Sequence, residues 1–228
     1  MVDDEYMIIQ GSGILDWFRD IPEGLRRITK PKVNISTLDP FVRQMLVLAK
    51  STYNDGDVKQ IGNWTLIKST ERVKVYEYGN TIVIAVRGTK DGLDAYDDTL
   101  LAREKLDESP RFKELLSVVK QVMQENPGKR IIVTGHSLGG GMVIQLTKYI
   151  KGLEGYIFNP GVNLAYVRKS DYDLKKVNNY VMENDPLSLT SSFLPNTTKY
   201  SYPFPLEGKA KDHIVAHSLM TFLGKRQG

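Results

Sequence analysis

Ser137 stands in the run IIVTGHSLGGG (131–141), with Gly135 two residues before it and Gly139 two after. A hydroxyl in that setting suits nucleophilic attack on a carbonyl carbon. Gly-x-Ser-x-Gly permits a very sharp turn from strand to helix, because glycines at those places let the two backbones approach, and the serine oxygen then projects above the sheet. Amides at the start of the following helix favour negative charge developing beside it. The five-residue pattern alone also fits an ordinary glycine-rich turn with a capping serine. Here a β-branched run precedes it and a helical run, LGGGMVIQLTKYIKG, follows it, and that context favours the nucleophile.

A serine hydroxyl attacks only with a base in reach. The chain holds three histidines. His136 adjoins the serine, and its side chain is expected to point away from its neighbour's. His213 and His217 are four residues apart, on one face of a helix. His217 is favoured, because HSLMTFLG carries the apolar stripe that would dock a last helix, whereas His213 lies beside the polar stretch EGKAKD. The His-x-x-x-His spacing lacks an internal glutamate and a third ligand, so no metal and no organic cofactor are expected.

The base in turn needs a carboxylate to hold its tautomer. Asp185 closes the strand pattern VNNYVMEN and precedes Pro186, which favours extended backbone before it. The same residue also fits an Asx turn. Its place gives the order Ser…Asp…His. Asp171 and Asp173 precede that strand and belong near its other end, and Asp212 suits a cap beside His213.

These groups require elements to carry them. Asp39-Pro40 opens a helix through DPFVRQMLVLAKS, with a capping residue and proline at the first helical position. NWTLIKST and RVKVYEYG alternate like half-buried strands, with Gly79-Asn80 as a tight turn before the wholly apolar TIVIAV. PRFKELLSVVKQVMQEN (110–126) has helical spacing, with Phe112, Leu115, Leu116, Val119 and Val122 on one stripe. KRIIVTG, LEGYIFNPG and KKVNNYVMEND read as strands, and AKDHIVAHSLMTFLGK as a closing amphipathic helix. From residue 81 strands and helices alternate, which predicts a single α/β domain with a mostly parallel central sheet covered by helices. Sites in such sheets lie at the carboxyl ends of strands. Those ends are Arg87-Gly88-Thr89, His136-Ser137, Asn159-Pro160-Gly161 and Asn184-Asp185.

The 228 residues suit one large domain, 38–228, preceded by an arm, 1–37, whose ILDWFRDIPEGLRRITK either packs on the domain or lies on a membrane surface. No cysteine is present, which excludes disulfides and thiolate metal sites. A net charge of +4 is too weak to argue for nucleic acid. No apolar run nears the roughly 18 residues of a spanning helix. The opening MVDDEYMIIQGSG lacks the features of a signal peptide, which makes the cytoplasm the default location.

Taken together, IVIAVRGTKDGLDAYDD, VTGHSLGGG, FNPG and NYVMENDPLS, followed by a terminal histidine segment, resemble the class 3 lipases, the fungal-lipase-like branch of the α/β-hydrolases, over roughly residues 40–224. The resemblance implies Ser137 as nucleophile, Asp185 as acid and His217 as base, with Thr89 and the backbone amide of Leu138 forming an oxyanion hole. It implies a serine hydrolase of lipid acyl esters, with a phospholipase A-type acyl hydrolase using the same residues. The contrasting class is a catalytically silent lipid-binding module on the same fold. Ala95 and Tyr96 stand where the family has its aromatic residue after Arg-Gly-Thr, and the acid and the histidine are separated by a short stretch.

The resemblance also implies a lid between Thr89 and the next helix. GLDAYDDTLLAREKLDESP carries Leu93, Tyr96, Leu100, Leu101 and Leu106 among many charges, which points to a small or polar lid. Asp91, Asp94, Asp97 and Asp98 lack the spacing of a calcium loop and read as a solvated segment. A polar lid predicts faster turnover of phospholipid or soluble short-chain esters than of emulsified long-chain triglyceride. It also predicts no jump in rate as an ester passes its solubility limit, and a sharp jump in a pH-stat assay would overturn this.

Overall fold

The computed structural model describes residues 32–89, 105–162, 171–185, 187–205 and 216–225. The N-terminal arm through residue 31, most of the lid segment with its acidic cluster, and His213 lie outside the described residues.

Nine described strands form one sheet: β1 (Lys32–Val33), β2 (Gln60–Ile61), β3 (Trp64–Ser69), β4 (Val73–Tyr78), β5 (Thr81–Val86), β6 (Arg130–His136), β7 (Glu154–Phe158), β8 (Val177–Met182) and β9 (Thr197–Tyr200). Their spatial order is β1-β9-β8-β7-β6-β5-β4-β3-β2. From β1 through β5 every neighbouring pair is parallel, while β5, β4, β3 and β2 form an antiparallel meander. The sheet is thus mostly parallel, as the alternation of strands and helices predicts.

The meander turns tightly where expected. Tyr78 pairs with Thr81, and Gly79 takes φ +55°, a conformation that L side chains rarely adopt. The parallel strands advance β5 to β9 without reversing direction, so right-handed crossovers place their helices on one face. Those helices are α2 (Pro110–Glu125) and α3 (Leu138–Leu146); α1 (Pro40–Ser51) covers the opposite face, and a short α4 (Ser188–Ser191) lies between β8 and β9.

Alternation along each strand divides the core between these faces. Ile82, Ile84 and Val86 of β5 meet Phe112, Leu115 and Val119 of α2 and Met142 of α3. Val83 and Ala85 meet Met45, Leu46 and Leu48 of α1, together with Phe222 from α5 (Leu219–Phe222). A strand apolar on both faces is therefore central, which is why TIVIAV reads as it does. The helix α1 starts as its sequence predicts, with the Asp39 carboxylate accepting from the amides of Phe41 at 2.8 Å and Val42 at 3.2 Å.

Several elements depart from the sequence pattern. β4 alternates in sequence but is buried on both faces from Val73 to Tyr76, because β3 and β5 flank it and α1 covers it. Its Lys74 is buried and donates to the carbonyls of Ser51 at 3.1 Å and Gly56 at 2.8 Å, so alkyl stem and ammonium are both accommodated. Leu106, grouped with the lid in sequence, is fully buried in the α2 face of the core. α3 ends at Leu146, earlier than its sequence suggests. The closing segment is interrupted at Ser218, whose extended backbone and hydroxyl cap the short α5. β1, β2 and β9 escape sequence reading, since two of them have only two residues and the third reads Thr-Thr-Lys-Tyr. Residues 32–33 join the sheet beside β9. Among the described residues no helix is long and apolar enough to cross a membrane.

Removing the α1 cap with Asp39→Ala leaves two first-turn amides without their carboxylate. A stability loss of about 1 kcal/mol is expected from urea denaturation.

Candidate active site

The parallel strands deliver four chain segments to one edge: Gly88-Thr89 after β5, Ser137 after β6, Asn159 after β7 and Asp185 after β8. Ser137 has φ +54° and ψ −127°, a strained conformation for a residue with a side chain. Such strain costs about 1–3 kcal/mol. It persists because β6 and α3 are pressed together. A Cβ on Gly135 would lie 2.6 Å from the Gly139 carbonyl carbon, and one on Gly139 would lie 2.5 Å from the Val86 carbonyl oxygen. Gly140 is equally constrained, since a Cβ there would meet Pro160 Cβ at 2.8 Å. The third glycine of the run therefore also has a packing reason.

The backbone of Ser137 is held on both sides. Its amide donates to the Phe158 carbonyl at 3.2 Å, and its carbonyl accepts from Gly141 at 3.1 Å and Gly161 at 2.8 Å. Ser137 is also the N-cap of α3, but its hydroxyl makes no capping bond. The Oγ instead lies 2.9 Å from His217 Nε2, and His217 Nδ1 lies 2.9 Å from Asp185 Oδ1. A carboxylate only accepts, so Nδ1 carries the imidazole proton and Nε2 accepts from the serine hydroxyl. The Asp185 side chain is 0% exposed and that of His217 is 30% exposed. A fully buried carboxylate thus faces an imidazole that solvent can reach. The second oxygen, Oδ2, has no hydrogen-bond partner among the described residues. Asp173 accepts from the Gly152 amide at 2.8 Å, at the amino end of β7, far along the sheet from Ser137 as its place in sequence suggests.

Thr89 follows Gly88, whose Cβ position is 3.3 Å from Ser137 Cβ, so the segment after β5 runs directly beside the serine. The Gly88 carbonyl accepts from Arg111 Nη2 at 3.2 Å, and Arg111 Nη2 also bonds the Arg87 carbonyl. In a trans peptide the following N–H points opposite to that carbonyl, so Arg111, from the first turn of α2, aims the Thr89 amide. Leu138 contributes the first amide of α3, where helix geometry provides no acceptor.

Four further residues surround the site; the sequence marks two of them, His136 and Asn159, as strand ends but assigns a role to none. His136 lies at the site, with its ring centroid 4.8 Å from that of His217. Tyr53 hydrogen-bonds it at 2.9 Å. Asn159, at φ +41°, donates to the Ala216 carbonyl at 2.9 Å and the His217 carbonyl at 3.2 Å, and accepts from the Met182 amide at 2.8 Å. It therefore ties the segment bearing His217 to the strand that leads to Asp185. Arg111 is the fourth. The one available signal was FNPG, which marks a strand end without specifying the bonds of its asparagine. Among the described residues no group of histidine, aspartate and glutamate side chains is arranged to hold a metal ion.

The mostly parallel sheet and the sharp turn from β6 into α3 form an α/β-hydrolase-type fold. A family model described as phospholipase-like, a Tle-like phospholipase domain, matches residues 19–218, and the chain belongs to that family. It is therefore a lipase-like ester hydrolase by family. No curated protein matches the chain. Among solved structures it is similar to a triacylglycerol lipase from Penicillium expansum, with 17% identity, 75% of this chain and 81% of that chain covered, and a TM-score of 0.49. It is similar to a lipase from Yarrowia lipolytica, with 16% identity, coverage of 73% and 79%, and a TM-score of 0.44. For the native propeptide complex of a Rhizomucor miehei lipase the values are 17% identity, coverage of 64% and 61%, and a TM-score of 0.45.

Burial, and secondarily the nearby His217 charge, lowers the pKa of His136 from 6.5 to about 3. A depressed value means that the unfolded chain binds the proton more readily than the folded one. The stability due to neutral His136 is complete above about pH 6.5 and is lost progressively as pH falls toward 3. Urea unfolding across pH 4–6 should show a steeper pH slope in the wild type than in His136→Gln, by up to about 1.4 kcal/mol per pH unit. Equal slopes would contradict the burial of a neutral ring.

Proposed function

We propose that this protein hydrolyses the acyl esters of phospholipids through Ser137, His217 and Asp185. The observation that carries this reading is the continuous hydrogen-bonded series from Ser137 Oγ through His217 to Asp185, at 2.9 Å and 2.9 Å, built on a strained strand–helix turn. The family description supports phospholipid as the substrate. The lipid surface is met peripherally, and the chemistry needs no cofactor.

Ser137 Oγ attacks the carbonyl carbon while its proton passes to His217 Nε2. The imidazolium so formed is stabilised by the buried Asp185 carboxylate. Negative charge on the former carbonyl oxygen is received by the amides of Thr89 and Leu138, with the Thr89 hydroxyl beside them. The tetrahedral intermediate collapses by breaking the ester C–O bond, and the lysophospholipid alkoxide leaves with the proton from Nε2. Water then attacks the acyl-enzyme, gives a proton to Nε2, and releases the fatty acid as Ser137 regains its hydrogen. The tautomer of His217 implied by its bond to the Asp185 carboxylate supports each of these proton transfers.

A fluorophosphonate should label the wild type at Ser137 and leave Ser137→Ala unlabelled. The same substitution should lower turnover of a short p-nitrophenyl ester by orders of magnitude. Phosphatidylcholine vesicles should yield fatty acid and lysophospholipid. Release of diacylglycerol or phosphatidic acid would overturn acyl hydrolysis, and neither labelling nor release would favour a silent lipid-binding module.

A further inference from the structure

His136 fills the variable place of Gly-x-Ser-x-Gly, and attack on an ester does not require it. It is nevertheless buried, and both ring nitrogens are committed. Nε2 lies 2.7 Å from the backbone carbonyl of His217. A carbonyl can only accept, so Nε2 carries the hydrogen. In a neutral ring Nδ1 is then an acceptor, and it lies 2.9 Å from the Tyr53 hydroxyl, which must donate to it. The Tyr53 oxygen itself accepts from the Gly88 amide at 3.0 Å. Every hydrogen in this series therefore has one direction: Gly88 N–H to Tyr53 Oη, Tyr53 O–H to His136 Nδ1, and His136 Nε2–H to the His217 carbonyl.

The two ends of the series matter because they are separate parts of the site. Gly88 immediately precedes Thr89, and its Cβ position is 3.3 Å from Ser137 Cβ. His217 carries the ring that faces Ser137 Oγ. The residues between them come from the turn after α1 and from the end of β6, so the series runs through four chain segments, of which only β5 and β6 are joined by a backbone ladder. Asn159 also bonds the His217 carbonyl, but it links that carbonyl to β8 and makes no bond to Gly88.

We propose that Tyr53 and His136 are positioning residues that hold the Gly88-Thr89 segment and the His217 base in register across Ser137 by one directed chain of hydrogen bonds. This rests on the assignment of Thr89 and His217 to the hydrolytic reaction. Buried packing explains why His136 is neutral. It does not explain why one ring nitrogen is bonded to the His217 flank and the other, through Tyr53, to the Gly88 flank of the same serine. Without the phenol, the ring can exchange its tautomer and present a lone pair to the His217 carbonyl. The Gly88 amide then also loses its phenolic acceptor. Small shifts at both flanks reduce reaction geometry more than substrate capture, because alignment within about 1 Å governs the chemical step.

The test combines a measurement on the wild type with kinetics on two single variants and their double variant. Nitrogen-15 histidine spectra of the wild type at pH 6–8 should show His136 protonated at Nε2 alone; a proton at Nδ1 overturns the directed chain. Tyr53→Phe keeps the ring and removes only the hydroxyl. With activity on a short p-nitrophenyl ester normalised to sites titrated by a fluorophosphonate, kcat should fall about 10- to 100-fold while KM stays within about threefold. A kcat per titrated site within about twofold of the wild type overturns the proposal and leaves Tyr53 a packing residue. His136→Gln retains an amide donor for the His217 carbonyl but supplies no ring acceptor to Tyr53. The double variant should be no slower than the slower single variant, and multiplied losses would mean two independent contacts. If His136→Gln does not fold, the spectra and Tyr53→Phe still decide the matter. A wild type that takes no fluorophosphonate removes the hydrolase reading and this inference together. A wild type that labels normally beside an unimpaired Tyr53→Phe removes this inference alone.

Discussion

The near-contact between β6 and α3 is the constraint on which the site depends. It places Gly135 against Gly139, Gly139 against the carbonyl of Val86, and Gly140 against Pro160, with no room for a methyl group at any of them. Only under that compression does Ser137 remain at φ +54°. The strain of about 1–3 kcal/mol is small beside the burial that maintains it. Met142, Val143, Ile144 and Leu146 of α3 are each wholly buried, at about 1.5–3 kcal/mol apiece by area. A strained serine is therefore a stable feature of this fold, and its hydroxyl is free to face an imidazole because it is not used as a helix cap.

Charge at the site is arranged by depth. Asp185 is fully enclosed, His217 is partly open, and His136 beneath them is held neutral by burial. An imidazolium at His136, 4.8 Å from the His217 ring, would oppose the protonation of His217 that the proposed mechanism requires, and the depressed pKa of His136 avoids that repulsion. The flank that carries Thr89 is braced differently, by the guanidinium of Arg111 on one side of the Gly88 peptide and the Tyr53 hydroxyl on the other. The rigid parts are the strand ends and the first turns of α2 and α3, with four strand ends brought to one edge of the sheet.

How much of this was legible depends on whether a residue's role is local. The fold class follows from periodicity, because TIVIAV and RIIVTG are apolar on both faces and alternate with amphipathic helices. The short edge strands were not legible, since two-residue strands and Thr-Thr-Lys-Tyr have no periodicity of their own and exist only because a neighbour supplies hydrogen bonds. β4 looked half-exposed because alternation cannot reveal that α1 lies over its polar face, where Lys74 finds two carbonyls. Leu106 looked like lid because it is surrounded by charge, yet it enters the core.

The same distinction applies to the site. The sequence by itself determined the turn around Ser137, since glycine spacing and β-branched residues act through local backbone sterics. It also narrowed the acid and base candidates by chain order and by the scarcity of histidine. Only the tertiary structure decided that His217 meets both Ser137 and Asp185, because these groups are 80 and 32 residues away from it along the chain. It alone revealed Tyr53, His136, Asn159 and Arg111 around them. Apart from the Tyr53–His136 bond, their partners are backbone carbonyls and amides, which no sequence pattern marks and which become specific only when separate strands end at the same edge of a sheet.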